Sequence, residues 1–123
     1  MQKAMAEAME KTGSNPGLKL NIALNYGSRA EVVQAVNKLI ERGEKIGEAE
    51  LMNSLYTVGL PELDLVRRTA GEQRLSNFML LQAAYAELVF TSVTFPELTD
   101  EAFIDCIKEY QRRTRRFGAV VEK

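Results

Sequence analysis

Ten residues near the middle of the chain hold the side chains that could do chemistry. The stretch 68–77 reads RTAGEQRLSN, with several charged and polar side chains and only one large apolar one. Arg68 and Arg74 can each bind phosphate oxygens with paired N–H donors. Ser76 is placed to begin a helix, whose first backbone N–H groups also favour an anion. The stretch therefore predicts a phosphate or diphosphate pocket, although a solvated loop with a serine cap and two surface arginines fits its composition equally well.

A strand-like run and a helix-like run flank this stretch and determine where it lies. LDLVR at 63–67 is typical of a strand, and the sequence predicts a helix over roughly 77–85 that Ser76 or Asn77 would cap. A loop that leaves a strand and enters a helix lies at the carboxyl edge of an open α/β sheet, where ligands of such sheets bind. The pocket is therefore expected at that edge.

The remaining elements alternate between strands and helices. Alternating apolar residues predict a strand over 18–25, and LVFTSV predicts another over 88–93. Helices are expected over 2–12, over 29–42 with Ser28 as cap, near 48–56, and from a Thr99 cap to the basic run at 112–116. This alternation predicts an α/β fold with a parallel sheet of about three strands and flanking helices. Because a parallel sheet must be covered on both faces, so thin a sheet indicates an incomplete domain.

Composition excludes several classes of function. Sixteen basic and 17 acidic residues give a net charge of -1. The overall charge therefore does not favour binding to nucleic acid or to an anionic membrane. The absence of histidine removes a Ser-His-Asp triad and most zinc sites. The single cysteine, Cys106, fits a reducing cytosol, and its helical pattern predicts a core position. We therefore expect a cytoplasmic protein that binds no nucleic acid and contacts membranes at most peripherally, since no apolar run could span a bilayer.

Residues 64–90 read DLVRRTAGEQRLSNFMLLQAAYAELVF, and this segment strongly resembles the signature of the cis-prenyltransferases, the undecaprenyl diphosphate synthase or isoprenyl transferase family. Shorter segments resemble other motifs of that family at natural spacing: NIALNYGSR at 21–29, FPEL at 95–98 and YQRRTRRFG at 110–118. The resemblance runs from about residue 18 to residue 118. Three uncharged positions depart from the family pattern: Ser28 replaces the second glycine of a Tyr-Gly-Gly-Arg motif, and Leu81 and Phe95 replace tryptophans.

The resemblance covers the C-terminal half of a family member. Members of the family are roughly twice as long, and their first half carries an Asp-Gly-Asn-Gly-Arg-like loop that binds the allylic diphosphate and supplies a metal-binding aspartate. Nothing in this sequence matches that loop. The resemblance therefore implies that residues 1–123 form a single, incomplete domain, the C-terminal half of the cis-prenyltransferase fold.

The resemblance also implies roles for individual residues. Arg68, Arg74 and Ser76 match the positions that hold the diphosphate of isopentenyl diphosphate. Glu87 matches a glutamate that helps bind Mg2+ by reaching the active site across a dimer. These assignments agree with the anion pocket expected from the residues alone, whereas a metal role for Glu87 rests on the resemblance.

Four further residues are assigned supporting or neutral roles. Glu72 is expected to orient the arginines, while Asn25 and Arg29 match the upstream motif and are expected to brace the pocket. Arg67 is an extra charge beside its neighbour and is expected to face solvent.

The family reaction condenses isopentenyl diphosphate with an allylic diphosphate such as farnesyl diphosphate. By resemblance, this chain supplies the isopentenyl diphosphate site and a dimer surface, and we expect it to be inactive alone. It would act as a homodimer or pair with a chain that carries the N-terminal half. Two alternatives stay open: a non-catalytic scaffold or partner subunit of a prenyltransferase complex, and an inactive remnant that folds poorly.

Overall fold

Helices and strands alternate along residues 2–114, the part of the chain that the computed structural model describes. In chain order the elements are helix α1 at Gln2–Thr12, α2 at Ser28–Glu41, α3 at Glu48–Met52, strand β1 at Leu65–Arg68, strand β2 at Glu87–Phe90, a 3-10 turn at Phe95–Glu97 and helix α4 at Asp100–Gln111. The two strands are parallel, with Leu65 beside Glu87 and Arg68 beside Phe90. The predicted α/β class with a small parallel sheet and flanking helices is therefore confirmed.

Within the described residues the sheet has two strands rather than the predicted three. The strand predicted over 18–25 is wrong, because no backbone group of residues 18–24 makes a backbone hydrogen bond within residues 2–114. Its alternating apolar side chains are exposed, from 92% for Leu18 to 55% for Leu24. A strand needs a neighbouring strand to pair its N–H and C=O groups, and no described element pairs with this segment.

The connection from β1 to β2 consists of turns, so the helix predicted over 77–85 is wrong. Ser76, Asn77 and Met79 have φ angles of 48°, 63° and 46°. These values lie in the left-handed region, which interrupts an α-helix. The cause lies elsewhere in the chain, since Asn77 and Leu80 form hydrogen bonds with the start of α2.

The most deeply buried apolar residues lie on α2 and just after α3. Leu39 of α2 is 0% exposed and Leu55 is 2% exposed. Gly27 is the N-cap of α2, so the prediction that Ser28 caps this helix is wrong. Ser28 is instead the first helical residue and is buried, with 1% exposed. The first N–H groups of a helix need acceptors from outside it, and at this buried end a distant segment supplies them.

Helix α4 forms where the sequence predicts it. Thr99 is its N-cap, and the Thr99 hydroxyl oxygen accepts a hydrogen bond from the N–H of Ala102 at 3.2 Å. Cys106 is buried, as its helical pattern predicts. Of the basic run at 112–116, the positions after residue 114 lie outside the described residues.

Candidate functional site

A pocket of about 450 Å³ opens beside the carboxyl end of β1 and the loop that follows it. Arg68 and Arg74 both line this pocket, together with Glu72, Leu75 and Phe78. The fold therefore brings both predicted phosphate-binding arginines to one cavity. Its wall combines guanidinium groups with apolar side chains, which suits a ligand that has a charged head and a hydrocarbon body.

Glu72 forms an ion pair with Arg74 across the loop. The Arg74 side chain is 65% exposed, and that of Glu72 is 34% exposed. An exposed arginine has many rotamers, and a nearby carboxylate reduces their number. The pair lies at the rim of the pocket, where Glu72 is close enough to contact the Arg74 guanidinium.

The turn that follows β1 is fastened to the chain beyond β2. The N–H of Ala70 donates to the carbonyl of Val93 at 2.9 Å, and the N–H of Gly71 donates to the carbonyl of Thr91 at 2.8 Å. Both turn residues have positive φ angles, 62° for Ala70 and 70° for Gly71. Glycine adopts this conformation without strain and alanine does not. These hydrogen bonds fix the turn that connects the two pocket arginines.

Ser76 is exposed and does not line the pocket. Because no helix begins there, the helix N-terminus proposed as part of the anion site is absent from this loop. The backbone N–H groups of residues 73–77 donate no hydrogen bond to another part of the described chain. Consecutive N–H groups in such a turn form a concave site for an anion, so the loop retains backbone donors without a helix.

Asn77 joins the pocket loop to the start of α2. Its carbonyl accepts a hydrogen bond from the N–H of Ser28 at 2.8 Å, and its side-chain oxygen accepts one from the N–H of Arg29 at 3.0 Å. Arg29 thus supports the loop through its backbone, whereas its neighbour in the motif, Asn25, contributes a turn with a φ of 51°. The sequence did not reveal that Asn77 caps a helix 48 residues away. Its only signal was the residue type, since asparagine is among the best helix caps.

A buried carboxylate lies behind the pocket loop, and the sequence analysis missed it. Glu31 is 1% exposed and accepts hydrogen bonds from the Tyr26 hydroxyl at 2.5 Å and the Tyr56 N–H at 2.7 Å. The Gln82 amide reaches both carboxylate oxygens at 3.2 and 3.3 Å. The Tyr26 ring also packs edge-on against Phe78, which lines the pocket, with 5.6 Å between ring centroids. An acidic residue in the first turn of a helix gave no sign that it would be buried.

Arg67 is half-buried rather than solvent-facing, so that expectation is wrong. Its Nε and Nη1 atoms are buried and have no hydrogen-bond partner within residues 2–114. The neighbouring element is α4, where burial raises the pKa of the Cys106 thiol and the charge of Arg67 opposes part of that rise. Arg67 also lines the pocket, beside Arg68.

The sequence model of a family described as "Putative undecaprenyl diphosphate synthase" matches residues 1–118. The chain belongs to this family. An isoprenyl transferase of Geobacillus kaustophilus is 50% identical over 126 aligned residues, which cover 97% of this chain. The ditrans,polycis-undecaprenyl-diphosphate synthase ((2E,6E)-farnesyl-diphosphate specific) of Micrococcus luteus is 44% identical and also covers 97% of this chain. The family resemblance seen in the sequence is therefore confirmed, and these relatives are named as prenyl transferases.

Two solved structures of this family share the fold. Lavandulyl diphosphate synthase from Lavandula x intermedia, in complex with dimethylallyl diphosphate, superimposes with a TM-score of 0.88 at 35% identity. "A probable undecaprenyl diphosphate synthase" from Campylobacter jejuni superimposes with a TM-score of 0.84 at 36% identity. Both comparisons cover 96% of this chain but only 54% and 56% of the other chain. Likewise, the chain spans about half the length of the curated relatives it matches, 49% and 51%.

Glu87, the residue that the family resemblance assigns to Mg2+, does not line the pocket. It begins β2 and pairs with Leu65, so three strand positions, about 10 Å, separate it from the level of Arg68. Its Oε2 atom accepts a hydrogen bond from Arg113 Nη1 at 3.1 Å. Arg113 also contacts the carbonyl of Leu88 at 2.8 Å and the carboxylate of Glu109 at 3.2 Å.

Mg2+ prefers several oxygen ligands, and a single described chain does not provide them. No group of three histidine, cysteine or acidic residues that could hold a metal occurs within residues 2–114. Glu87 offers one carboxylate, which already bonds to Arg113. The residues between positions 2 and 114 of one chain therefore do not form a complete magnesium site on their own.

No helix within residues 2–114 has both the length and the apolar character needed to cross a bilayer.

Proposed function

We propose that this chain provides the isopentenyl diphosphate site of a cis-prenyltransferase. The observation that carries the proposal is the shared pocket of Arg68 and Arg74 at the carboxyl end of β1. Guanidinium groups bind diphosphate oxygens with paired, charge-assisted hydrogen bonds. The uncommitted N–H groups of residues 73–77 supply further donors within the described chain, and the Ser76 hydroxyl lies on the same turn. Phe78 and Leu75 provide an apolar wall for the isoprene unit.

The proposed reaction joins isopentenyl diphosphate to an allylic diphosphate such as farnesyl diphosphate. The bond to the allylic diphosphate breaks, C4 of isopentenyl diphosphate forms the new carbon–carbon bond, and a proton leaves the product. The residues of this chain bind and orient isopentenyl diphosphate for that step. Arg68 and Arg74 fix the diphosphate, which places the reactive double bond beyond the apolar wall of the pocket.

We propose that the working enzyme contains a second chain. The segment 18–24 exposes alternating apolar side chains and pairs with no described strand, and a two-stranded parallel sheet is thin for a domain. The second chain would be another copy or one that carries the N-terminal half. Because Glu87 does not line the pocket of its own chain and lies about 10 Å along the sheet from the level of Arg68, it would serve a site completed by the other chain. In that assembly Glu87 would contribute one ligand to Mg2+.

A cytoplasmic location with at most peripheral membrane contact fits this function. The buried free thiol of Cys106 supports the proposal, because a reducing compartment preserves free thiols. A lipid product would bring the enzyme to a membrane surface without an anchor.

Binding of isopentenyl diphosphate tests the pocket. Titration calorimetry on the folded chain is expected to give saturable binding that Arg68→Met and Arg74→Met each weaken about tenfold or more. Arg42→Met is the matched control, since Arg42 follows the end of α2, pairs with Glu44 and does not line the pocket. Equal binding by all four proteins, or no binding by the unmodified chain, would refute the proposed site.

Incorporation of radiolabelled isopentenyl diphosphate with farnesyl diphosphate and Mg2+ tests whether the chain works alone. We expect no product from the purified chain and product after a chain that carries the N-terminal half is added. Product from the chain alone that Arg74→Ala abolishes would contradict the need for a partner.

A non-catalytic partner subunit is the second candidate. The observation that favours it is the exposed apolar segment 18–24, which offers a surface to another chain. It predicts that Arg74→Met leaves the product formed by the assembled complex unchanged, whereas the enzyme proposal predicts a large loss.

A further inference from the structure

Ser28 forms two hydrogen bonds to a segment about fifty residues away in the chain. Its N–H donates to the carbonyl of Asn77 at 2.8 Å, and its hydroxyl oxygen accepts from the N–H of Leu80 at 3.1 Å. The residue is 1% exposed, so water does not compete for either bond. A buried hydrogen bond of this kind is costly to leave unmade. Ser28 therefore links the start of α2 to the segment 77–80 through two specific hydrogen bonds.

The segment 77–80 is part of the wall of the proposed diphosphate pocket. Leu75 and Phe78 line the pocket, and Arg74 stands immediately before them. Residues 76–79, which overlap this segment, include three non-glycine residues with positive φ angles: Ser76, Asn77 and Met79. Such residues keep this conformation only where surrounding contacts impose it. The hydrogen bonds from the start of α2 are contacts of that kind.

The hydroxyl of Ser28 forms a hydrogen bond that a glycine at this position could not form. The motif that this part of the chain resembles has glycine here, and a glycine would keep the N–H bond to Asn77. It would offer no side-chain acceptor to the N–H of Leu80. The neighbouring Gly27 shows how closely the two segments approach, since a Cβ built there would lie 2.8 Å from the Asn77 side-chain nitrogen.

We propose that Ser28 is a positioning residue of the diphosphate pocket. Its hydroxyl oxygen accepts a hydrogen bond from the N–H of Leu80 and thereby fixes the end of the turn whose residues Arg74 and Phe78 line the pocket. This inference rests on the proposed function, because it assigns Ser28 to the same pocket. The contacts of Glu31 with Gln82 and of Tyr26 with Phe78 hold the rest of the segment. Loss of the hydroxyl therefore loosens the turn locally and leaves the chain folded.

The test compares Ser28→Ala and Ser28→Gly with Ser54→Ala. Ser54 is a matched control because its hydroxyl also makes one hydrogen bond, to the carbonyl of Glu50 at 2.9 Å, but in an exposed turn away from the pocket. Two quantities are measured on folded protein: the exchange rate of the Leu80 amide hydrogen by NMR, and the Kd for inorganic pyrophosphate by calorimetry. Arg74→Met reports whether pyrophosphate occupies the proposed pocket.

We expect both Ser28 variants to exchange the Leu80 amide hydrogen faster and to bind pyrophosphate about three- to tenfold more weakly, the loss expected for one buried hydrogen bond. Ser54→Ala should change neither quantity. Faster exchange with unchanged pyrophosphate affinity would overturn the positioning role, as would unchanged exchange.

The outcomes separate this inference from the proposed function. If the unmodified chain binds pyrophosphate and Arg74→Met abolishes the binding, the proposed pocket is supported, and the affinities of the Ser28 variants do not change that result. If the unmodified chain does not bind pyrophosphate, or if Arg74→Met binds it equally well, the proposed pocket fails and the role of Ser28 fails with it. A glycine variant that binds as tightly as the unmodified chain, in a pocket that Arg74→Met disrupts, would overturn only the role of Ser28.

Discussion

The Tyr26 hydroxyl donates a hydrogen bond to Oε2 of Glu31 at 2.5 Å, and the Glu31 side chain is buried. The carboxylate of Glu31 also accepts from Tyr56 and Gln82, so three segments of the chain meet at one side chain. Removal of the carboxylate would take an acceptor from the Tyr26 hydroxyl and the Tyr56 N–H, whereas the Gln82 amide would keep its bond to Thr57. This cluster is one of the polar contacts between α2 and the chain that follows the pocket loop.

Glu31→Gln should lower the free energy of unfolding by about 1–3 kcal/mol. The glutamine keeps the shape of the side chain but turns an N–H2 group toward at least one donor. Urea denaturation followed by circular dichroism measures the change. Glu41→Gln, at an exposed position on the same helix, should change the value by less than about 0.5 kcal/mol. Equal effects at the two positions would contradict the importance of the cluster.

Tyr26 should make stability fall at high pH. Its pKa is raised above the ordinary 10.0, first by burial and then by the hydrogen bond to Glu31 and the charge of that residue. Below pH 10 the hydroxyl is protonated in folded and unfolded chains, so its contribution is complete. Above pH 10 the unfolded chain loses the proton first, and the free energy of unfolding falls until the pH passes the pKa of the folded state.

Urea midpoints measured from pH 8 to 11 test this dependence. Tyr26→Phe should lack the part of the fall that Tyr26 causes, whereas Tyr85→Phe, at a side chain that is 63% exposed, should retain it. A fall of the same size in both variants would show that another group is responsible.

Ala70→Gly should raise the free energy of unfolding by about 0.5–1 kcal/mol. Alanine at a φ of 62° bears left-handed strain that glycine avoids, and the gain exceeds the entropy that glycine loses on folding. Ala30→Gly is an internal contrast, because the same change at an exposed position of α2 should lower stability by about 1 kcal/mol. Thermal unfolding measures both. A decrease at both positions would mean that the turn does not strain Ala70.

Arg67→Met should stabilise the chain by about 1–2 kcal/mol. The change removes two buried nitrogen donors that have no acceptor within residues 2–114, and it keeps most of the apolar stem of the side chain. Arg42→Met, at an exposed arginine, should leave the unfolding midpoint nearly unchanged. A loss of stability in Arg67→Met would indicate that the guanidinium has a partner.

Arg113→Met should loosen the end of α4 from β2. Arg113 bonds to Glu87 and Leu88 of β2 and to Glu109 of α4, and its side chain is 33% exposed. We expect a loss of up to about 1 kcal/mol at low salt that shrinks in 1 M salt, which screens ion pairs. Arg112→Met should have little effect, because Arg112 is 74% exposed and contacts Glu109 at 3.7 Å. An equal loss of stability in both variants would contradict the proposed role of Arg113 in linking α4 to β2.

Local signals in the sequence were sufficient for α4 and for the two pocket arginines. Thr99 followed by acidic residues specifies a helix start whatever surrounds it, because the cap and the dipole act within one turn. Arg68 and Arg74 flank a turn that follows a strand, and that order alone brings them to one edge of the sheet.

Other features depend on contacts that no local pattern encodes. Residues 77–85 have a helical pattern, but hydrogen bonds to Ser28 and Arg29 draw Asn77 and its neighbours into turns. The segment 18–25 has a strand pattern, and whether it becomes a strand depends on a neighbour that the described residues do not supply. The burial of Glu31 depends on the approach of Gln82 from 51 residues further along the chain.

The exposed segment 18–24 affects how long the protein persists in a cell. Its alternating leucines and isoleucine, 55% to 92% exposed, form a short, weakly charged, β-prone window of the kind that joins identical copies edge to edge. Such a window is also a target for chaperones and proteases, which act on exposed apolar chain. Rapid capture by a binding partner would then extend the half-life of the protein, while slow capture would direct it to clearance or to aggregates. The amount of this protein in the cell, as well as its catalysis, would depend on the partner that covers residues 18–24.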